Sequence, residues 1–226
     1  MTTEILAKNS TKRERTRQLI LNAAMNILAT KELASSSIDE LMSHTGMTRA
    51  TFYNYFQNRE ELLDDVLNEV RRYLHEHIQQ HIPDDISPAA TISCTVFGIQ
   101  QYALDHPRFG WILVRLSADN DFFRPPALDD QYFSRPNNAL MSSVKSGTEF
   151  MSVHIYCEGI AINILRSLLM QHINLVTSEQ VVAMFLRGLS FDESEIDKAI
   201  VHAREFAQFV HTRYKDWQCS NDLNEA

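Results

Sequence analysis

A chain of 226 residues with 44% hydrophobic and 22% charged residues is long enough to bury a core, which excludes intrinsic disorder. Its three scattered cysteines match neither a zinc-ligand spacing nor a disulfide framework and indicate the reducing cytoplasm, while no apolar run reaches the ~18 residues of a membrane span. The net charge of −8 by itself argues against a nucleic-acid partner.

The charge is unevenly distributed along the chain. Residues 1–60 hold eight Lys/Arg and six Asp/Glu for a net +2, whereas residues 61–226 hold 13 and 23 for a net −10. A basic cluster precedes the first predicted helix and continues into it, with Glu14 as the one acid among Lys8, Lys12, Arg13, Arg15 and Arg17. Such a cluster suits phosphate contacts, although charge alone favours a solvated helix start.

Capping signals divide the first 57 residues into three helices. Thr11-x-x-Glu14 is a capping box that opens the first helix, and Ser37-x-x-Glu40 opens a short second one. Gly46 follows at the position where a helix commonly ends on a residue with positive φ. Thr48 then caps a third helix, which we expect over residues 48–56.

The rest of the chain is also predicted to be helical. Asn58-x-x-Glu61 opens a long helix to about Ile82, which at 1.5 Å per residue spans roughly 35 Å and is long enough to join two modules. Pro125, Pro126 and Pro136 lie among aromatic residues and predict an irregular segment over 119–137. Further helices are expected over 88–104, from Pro107, over 150–172, after a Thr177 cap and after an Asp192 capping box.

These elements predict an all-α fold with two parts. The first is an N-terminal three-helix, helix-turn-helix DNA-binding domain over residues 1–57, including the N-terminal arm. The second is a larger helical C-terminal domain over 58–226, which begins with a linking helix over 58–82.

The third helix has the properties of a recognition helix, which enters the ~12 Å wide major groove and presents its N-terminal residues to base edges. Because Phe52 and Phe56 occupy the inward side, the outward side is left with the polar residues Thr48, Arg49, Thr51, Tyr53 and Asn54. Arg49 suits a bidentate contact with guanine and Asn54 a contact with adenine, whereas hydroxyls such as those of Thr48 and Tyr53 suit phosphates. The helix N-termini at Ser37 and Asn58 add backbone donors for phosphate.

This segment resembles the DNA-binding domain of the tetracycline-repressor (TetR) family. The matching pieces are Thr45-Gly46-Met47-Thr48, Thr51-Phe52-Tyr53-Asn54-Tyr55-Phe56 and Asn58-Arg59-Glu60-Glu61-Leu62-Leu63. The resemblance covers about residues 11–67, a quarter of the chain. It is specific, because generic helix-turn-helix proteins lack the aromatic block followed by the Arg-Glu-x-Leu-Leu pattern.

The resemblance implies a homodimer whose all-helical C-terminal domain holds a ligand pocket and the dimer interface. By position it implies that Thr48, Arg49, Ala50, Tyr53 and Asn54 contact DNA and that Arg59 touches phosphate. The segment 150–172 is apolar almost all round and is expected to be buried on every side. One alternative is a central core helix in a monomer. The other is the four-helix dimer interface typical of the family, formed together with the helical segment 178–189 or 193–215. We favour the dimer, because half-sites on a palindromic operator call for two-fold symmetry.

Small-molecule pockets are mostly apolar with few polar groups. In the C-terminal domain the candidate pocket residues are Phe97, Trp111, Phe123, Tyr132, His154, Tyr156 and Glu158. His154 and Glu158 lie four residues apart on one helical face, where they would supply polar contacts or equally form an internal hydrogen bond. For each of these residues an ordinary core position is the alternative.

Other polar residues give weaker signals. His77 and His81 have an i, i+4 spacing known from metal sites, but His75-Glu76-His77 does not match the zinc-protease pattern, and a solvated helix face is the better interpretation. Cys157 has apolar neighbours, which favours inert packing over redox sensing. We expect neither a metal nor a cofactor.

We therefore expect a cytoplasmic homodimer that binds operator double-stranded DNA, acts as a ligand-responsive repressor and answers to an unknown small-molecule effector. One alternative is a DNA-bound adaptor of the same fold that contacts a protein partner and has no small ligand. Another is a helical enzyme, which we do not expect, because the sequence offers no paired nucleophile and base and no phosphate-binding loop.

Overall fold

The structure is a computed structural model that describes residues 12–30, 37–119, 134–142 and 147–215. Within these ranges the chain is helical and contains no strand, which confirms the predicted all-α fold. The helices nearest the N-terminus are α1 (Lys12–Thr30), α2 (Ile38–Ser43), α3 (Arg49–Tyr53) and α4 (Arg59–His77). The later helices are α5 (Pro88–Asp105), α6 (Pro107–Asp119), α7 (Ser134–Ser142), α8 (Gly147–Leu169), α9 (Leu175–Gly188) and α10 (Glu193–Tyr214).

The chain forms two compact units that divide between Glu69 and Val70, inside α4. The linking helix predicted over 58–82 is shorter in the structure, because α4 ends at His77 and a separate 3₁₀ turn over Gln79–His81 follows it. The domain boundary predicted between residues 57 and 58 stays a prediction. None of the helices in the described ranges is both long and apolar enough to cross a bilayer.

The first unit is built on the caps that the sequence predicts. The Ser37 hydroxyl accepts a hydrogen bond from the Glu40 N–H at 3.0 Å, and Gly46 has a φ of 65°, the left-handed conformation that glycine adopts without strain. Buried apolar side chains of α1, α2, α3 and α4 form its core, among them Ile20, Leu28, Met42, Phe52 and Leu62. Thr11 lies outside the described residues.

Helix α3 is shorter than predicted. It ends at Tyr53 instead of Phe56. The N–H groups of Asn54 and Tyr55 bond to carbonyls three residues back, on Thr51 and Phe52, in a tighter turn than the α-helix makes. Phe56 nevertheless enters the core, where it is 1% exposed.

Helix α5 is the centre of the second unit. It contacts α10 along much of its length and also packs against α6, α7 and α8. The close approach to α10 depends on Gly98, because a Cβ at that position would lie 2.7 Å from Cε1 of Phe206 and 2.8 Å from Cγ2 of Ile78. An apolar core of residues from α5, α7, α9 and α10 includes Phe97, Leu140, Phe185 and Ala203.

The structure corrects three further sequence predictions in the second unit. The irregular segment expected over 119–137 is wrong at both ends, because Asp119 belongs to α6 and α7 begins at Ser134; the residues between them lie outside the described ranges. Helix α7 accommodates Pro136 in its first turn, where a missing N–H costs no helical hydrogen bond. The cap of α9 is Asn174 and not Thr177; its Oδ1 accepts the Thr177 N–H at 3.1 Å. His77 is only 7% exposed, so it does not lie on a solvated face.

Candidate nucleic-acid interface

Helix α3 is held at its start and along one side. The Thr48 Oγ1 accepts a hydrogen bond from the Thr51 N–H at 3.3 Å and thereby caps the helix. On the inner side, Phe52 is fully buried and its ring lies 5.6 Å from that of Phe56, centroid to centroid. These contacts leave the opposite side of the short helix at the surface.

The residues predicted to meet DNA lie largely on that outer side. Thr48, Arg49, Ala50, Tyr53 and Asn54 are all exposed. Thr51 is only partly exposed, and its hydroxyl lies 3.1 Å from that of Thr48, so it takes part in the cap. The sequence argument treated Thr51 as equivalent to the others, because spacing does not reveal a bond between two hydroxyls.

Arg49 is positioned by two neighbours. Its Nη1 lies 3.6 Å from Oδ2 of Asp39, and its guanidinium carbon lies 6.0 Å from the centre of the Tyr53 ring. The side-chain hydrogen bond with Tyr53, and then the charge of Asp39, raise the pKa of Arg49 above its ordinary value. With 59% of its side chain exposed, Arg49 presents a permanent cation beside a phenol ring.

Two further predicted residues lie at helix N-termini. Ser37 is exposed, but its hydroxyl already caps α2. Arg59 is the first residue of α4, is half-buried, and follows Asn58, whose Oδ1 accepts the Glu61 N–H at 2.9 Å. Helix N-termini offer backbone donors to phosphate, so both positions suit backbone contacts with DNA, and the guanidinium of Arg59 adds a positive charge at the second of them.

Arg17 has a role that the charge pattern did not indicate. Its guanidinium forms an ion pair with Asp65 of α4 and lies 5.4 Å from the centre of the Phe56 ring. The basic cluster therefore contributes Lys12, Arg13 and Arg15 as exposed cations, whereas Arg17 ties α1 to α4. No local signal identifies this pair, because its members are 48 residues apart.

Residues 20–66 match the family model described as "Bacterial regulatory proteins, tetR family". The match spans α2, α3 and the capped start of α4, the elements that position the exposed side of α3. Residues 20–66 are therefore a DNA-binding domain of the TetR type. This confirms the family resemblance and the helix-turn-helix inferred from the sequence.

Solved structures of TetR-like proteins share the fold over most of both chains. RolR in complex with resorcinol is 18% identical with a TM-score of 0.59, and the alignment covers 84% of this chain and 94% of RolR. A TetR-like regulator from Rhodococcus sp. RHA1 is 16% identical with a TM-score of 0.57, covering 81% and 100%. A gamma-butyrolactone receptor (ArpA-like protein) is 16% identical with a TM-score of 0.52, covering 88% and 98%. No curated protein matches the chain in sequence.

The described members of the predicted pocket lie on three helices, α5, α6 and α8. Phe97 is buried in the core of the second unit, and Trp111 is half-buried beneath the Arg115 guanidinium, 4.9 Å from its ring centre. Tyr156 is 59% exposed, with its ring 5.7 Å from that of Phe185, and Glu158 is half-buried. Phe123, Tyr132 and the side chain of His154 lie outside the described residues, so the pocket stays a prediction.

The sequence argument overlooked two buried polar side chains on α5. Ser93 is fully buried and Gln100 is 1% exposed. The Ser93 hydroxyl and both amide atoms of Gln100 have no hydrogen-bond partner in the described structure. The available signal was a serine and a glutamine seven residues apart on a face that is otherwise apolar.

A second overlooked cluster surrounds Tyr214, at the end of α10. Its hydroxyl lies 2.9 Å from Nε2 of His81, and its carbonyl oxygen lies 2.8 Å from Nε2 of His106. Its ring makes an edge contact with the ring of His77 at 4.9 Å. Burial is the main cause that lowers the pKa of all three histidines.

The described residues also bear on the metal and thiol chemistry considered from the sequence. There, no group of three or more His, Cys, Asp or Glu residues is arranged to hold a metal ion. Burial raises the pKa of the Cys157 thiol to about 12. The thiol therefore stays protonated at neutral pH, and a protonated thiol is a poor nucleophile.

Proposed function

We propose that this protein is a cytoplasmic, sequence-specific repressor of the TetR type that binds operator DNA as a homodimer and is released by a small-molecule effector. The observation that carries the DNA part is the exposed side of α3, where Arg49, Tyr53 and Asn54 stand opposite the buried Phe52 and Phe56. Such a helix presents donors and acceptors at the depth of base edges. The protein acts by binding and carries no catalytic step.

The exposed apolar residues of α8 and α9 support a dimer. Ile155 and Tyr156 on α8 are 61% and 59% exposed, and Val176 and Met184 on α9 are 59% and 68% exposed. Tyr156 contacts Phe185, the residue after Met184, so α8 and α9 pack against each other near these exposed residues, which we call the apolar surface on α8 and α9. In a two-fold symmetric dimer, the same surface of a second copy would cover these residues. The dimer would then have two copies of α3, as a palindromic site requires.

The effector is proposed from the fold and its relatives. RolR was solved with resorcinol, and another fold neighbour is a gamma-butyrolactone receptor, so similar helical domains serve small uncharged ligands. In this protein the effector would bind the second unit and favour the state with lower affinity for DNA. The effector can shift the equilibrium between the two states only by the difference between its binding free energies to them.

Selection of binding sites from a random DNA library with the purified full-length protein tests the DNA part. We expect enrichment of palindromic sequences, and about tenfold or greater loss of affinity for the selected site in Arg49→Ala. Arg204→Ala is the matched control, because Arg204 is equally a surface arginine but pairs with Glu179 in the second unit. No enrichment, or equal affinity of both variants, would reject the proposal.

A further inference from the structure

The inference concerns one face of α5 and what it binds. Ser93 and Gln100 are seven residues apart, which is close to two full helical turns, so their side chains leave α5 in nearly the same direction. Val96 and Phe97 lie between them at the i+3 and i+4 positions and share that direction. The face therefore has a polar group at each end and an apolar middle.

Both polar ends are deeply buried and unsatisfied. Ser93 is 0% exposed and Gln100 is 1% exposed, and their side-chain polar atoms have no partner within the described residues. Buried polar groups are nearly always hydrogen-bonded, because an unpaired one forfeits its bonds to water without replacement. Two such groups on one face favour a binding partner that the described side chains do not supply.

Other polar side chains of the same helix show the contrast. The Thr95 hydroxyl donates to the Thr91 carbonyl at 2.9 Å. The Gln101 Nε2, one residue after Gln100, donates to Oδ1 of Asp105 at 3.1 Å. Both of these polar groups of α5 thus find protein partners. Unpaired buried atoms also occur on Gln79 and Ser178, which lie on other elements. The Asp105 Oδ2, at the end of α5, is unpaired as well, but Asp105 is five residues after Gln100 and therefore points away from this face.

The surroundings restrict the charge of the partner. Phe97 belongs to a buried apolar core with members from α5, α7, α9 and α10, and Val96 packs against the same core. A charged group placed against this core would be costly to desolvate. A glutamine amide offers both donors and an acceptor, and a serine hydroxyl offers one of each kind.

We propose that Ser93 and Gln100 are the two polar contacts of an effector site on α5, and that its occupant is an uncharged small molecule with an apolar body and a hydrogen-bonding group at each end. The two positions are separated by about 10 Å along the helix axis, so the occupant has two rings or an equivalent length. The apolar body lies against Val96 and Phe97. This inference rests on the proposed function, since it names the ligand class of the regulator.

The ligand-free protein gives the first test. Gln100→Leu removes an unsatisfied amide and keeps a similar volume, so we expect a Tm higher by about 2 °C or more. Gln101→Leu is the matched control on the adjacent residue and should lower Tm, because it leaves Asp105 with one bond fewer. A lower Tm for Gln100→Leu would mean that the amide is satisfied within the protein, and the proposal would fail.

Ligand binding gives the second test, with three probes measured by calorimetry on the full-length protein. We expect 4,4′-dihydroxybiphenyl to bind, 4-hydroxybiphenyl to bind about tenfold more weakly, and biphenyl-4,4′-dicarboxylate not to bind. Ser93→Ala and Gln100→Leu should each lower the affinity for 4,4′-dihydroxybiphenyl about tenfold, whereas Gln101→Leu should leave it unchanged. Absence of dihydroxybiphenyl binding, preference for the dicarboxylate, or equal binding by wild type and Gln100→Leu would overturn the proposal.

The two proposals fail separately. Site selection from the DNA library uses the ligand-free protein and does not depend on α5 chemistry. If the protein selects palindromic DNA but ignores the dihydroxy probe, only the effector-site proposal is lost. If it binds the probe through Gln100 but selects no DNA, the site stands as a ligand site and the regulatory role is rejected.

Discussion

Gly98 of α5 packs directly against Phe206 of α10, so closely that a Cβ on residue 98 would lie 2.7 Å from Cε1 of the ring. The ring is 6% exposed and has little room to move away. The neighbouring Ile78 closes the other side at 2.8 Å. The contact between these two helices therefore requires the absence of a side chain at position 98.

Gly98→Ala should destabilise the protein by about 1–3 kcal/mol, because the methyl group forces α5 and α10 apart. In a chain of this size we expect a loss of about 2–4 °C in Tm for each kcal/mol. Gly188→Ala is the control, since a Cβ there meets nothing within 4 Å. An unchanged urea midpoint for Gly98→Ala would show that the two helices tolerate the wider spacing.

Arg49 and Arg59 should have different effects on DNA recognition. Arg49 is exposed on α3, so Arg49→Ala should relax base preference at one operator position by about 1–3 kcal/mol. Arg59 lies at the start of α4, so Arg59→Ala should weaken binding to all sequences alike and reduce the salt dependence by about one phosphate contact. Fluorescence anisotropy with single-base operator variants at several salt concentrations separates the two effects. Equal losses at every base in both variants would contradict the assignment of Arg49.

Acidification should destabilise the second unit through His77. Burial lowers the pKa of His77 in the folded protein below its ordinary value of 6.5, so the unfolded chain binds more protons once the pH falls through about that value. Stability is therefore complete above pH 7 and declines below about 6.5, by up to about 1.4 kcal/mol per unit of pKa difference. Urea unfolding between pH 8 and 5 measures this decline.

His77→Phe tests the origin of that pH dependence. A phenyl ring retains the contacts with Tyr73, Tyr102 and Tyr214 but binds no proton. We expect a shallower decline, with the remainder due to His81 and His106, whose pKa values burial also lowers. His172→Phe changes an exposed residue and should leave the decline as in the wild type. An identical decline in His77→Phe and wild type would exclude His77 as a source.

The apolar surface on α8 and α9 should control the oligomeric state. Replacing both Tyr156 and Met184 with Glu places charges on that surface, and we expect a shift from dimer to monomer in light scattering coupled to gel filtration. Val201→Glu is the control, because Val201 is a 48% exposed apolar residue on α10, outside the proposed interface. A double variant that stays dimeric would place the interface elsewhere.

Much of the first unit could be predicted from the sequence, because its signals are local. Ser37, Thr48 and Asn58 accept hydrogen bonds from N–H groups three residues further on, and Gly46 takes its positive φ within a single turn. Such contacts depend on neighbouring residues only, so spacing is enough to foresee them. The outward direction of Arg49, Tyr53 and Asn54 follows from the inward direction of Phe52.

Only the tertiary structure decided how distant residues share their bonds. Arg17 forms an ion pair with Asp65, and the rings of His77 and Tyr214 make contact although they are 137 positions apart. The Gln100 side chain has no partner among the described residues, whereas the adjacent Gln101 donates to Asp105. The sequence by itself determined most of the helices, the caps of the first unit and the outward direction of Arg49, Tyr53 and Asn54, since each follows from periodicity or from contacts within one turn. Long-range pairing and burial depend on how helices pack, and periodicity carries no information about which side chain a buried group will meet.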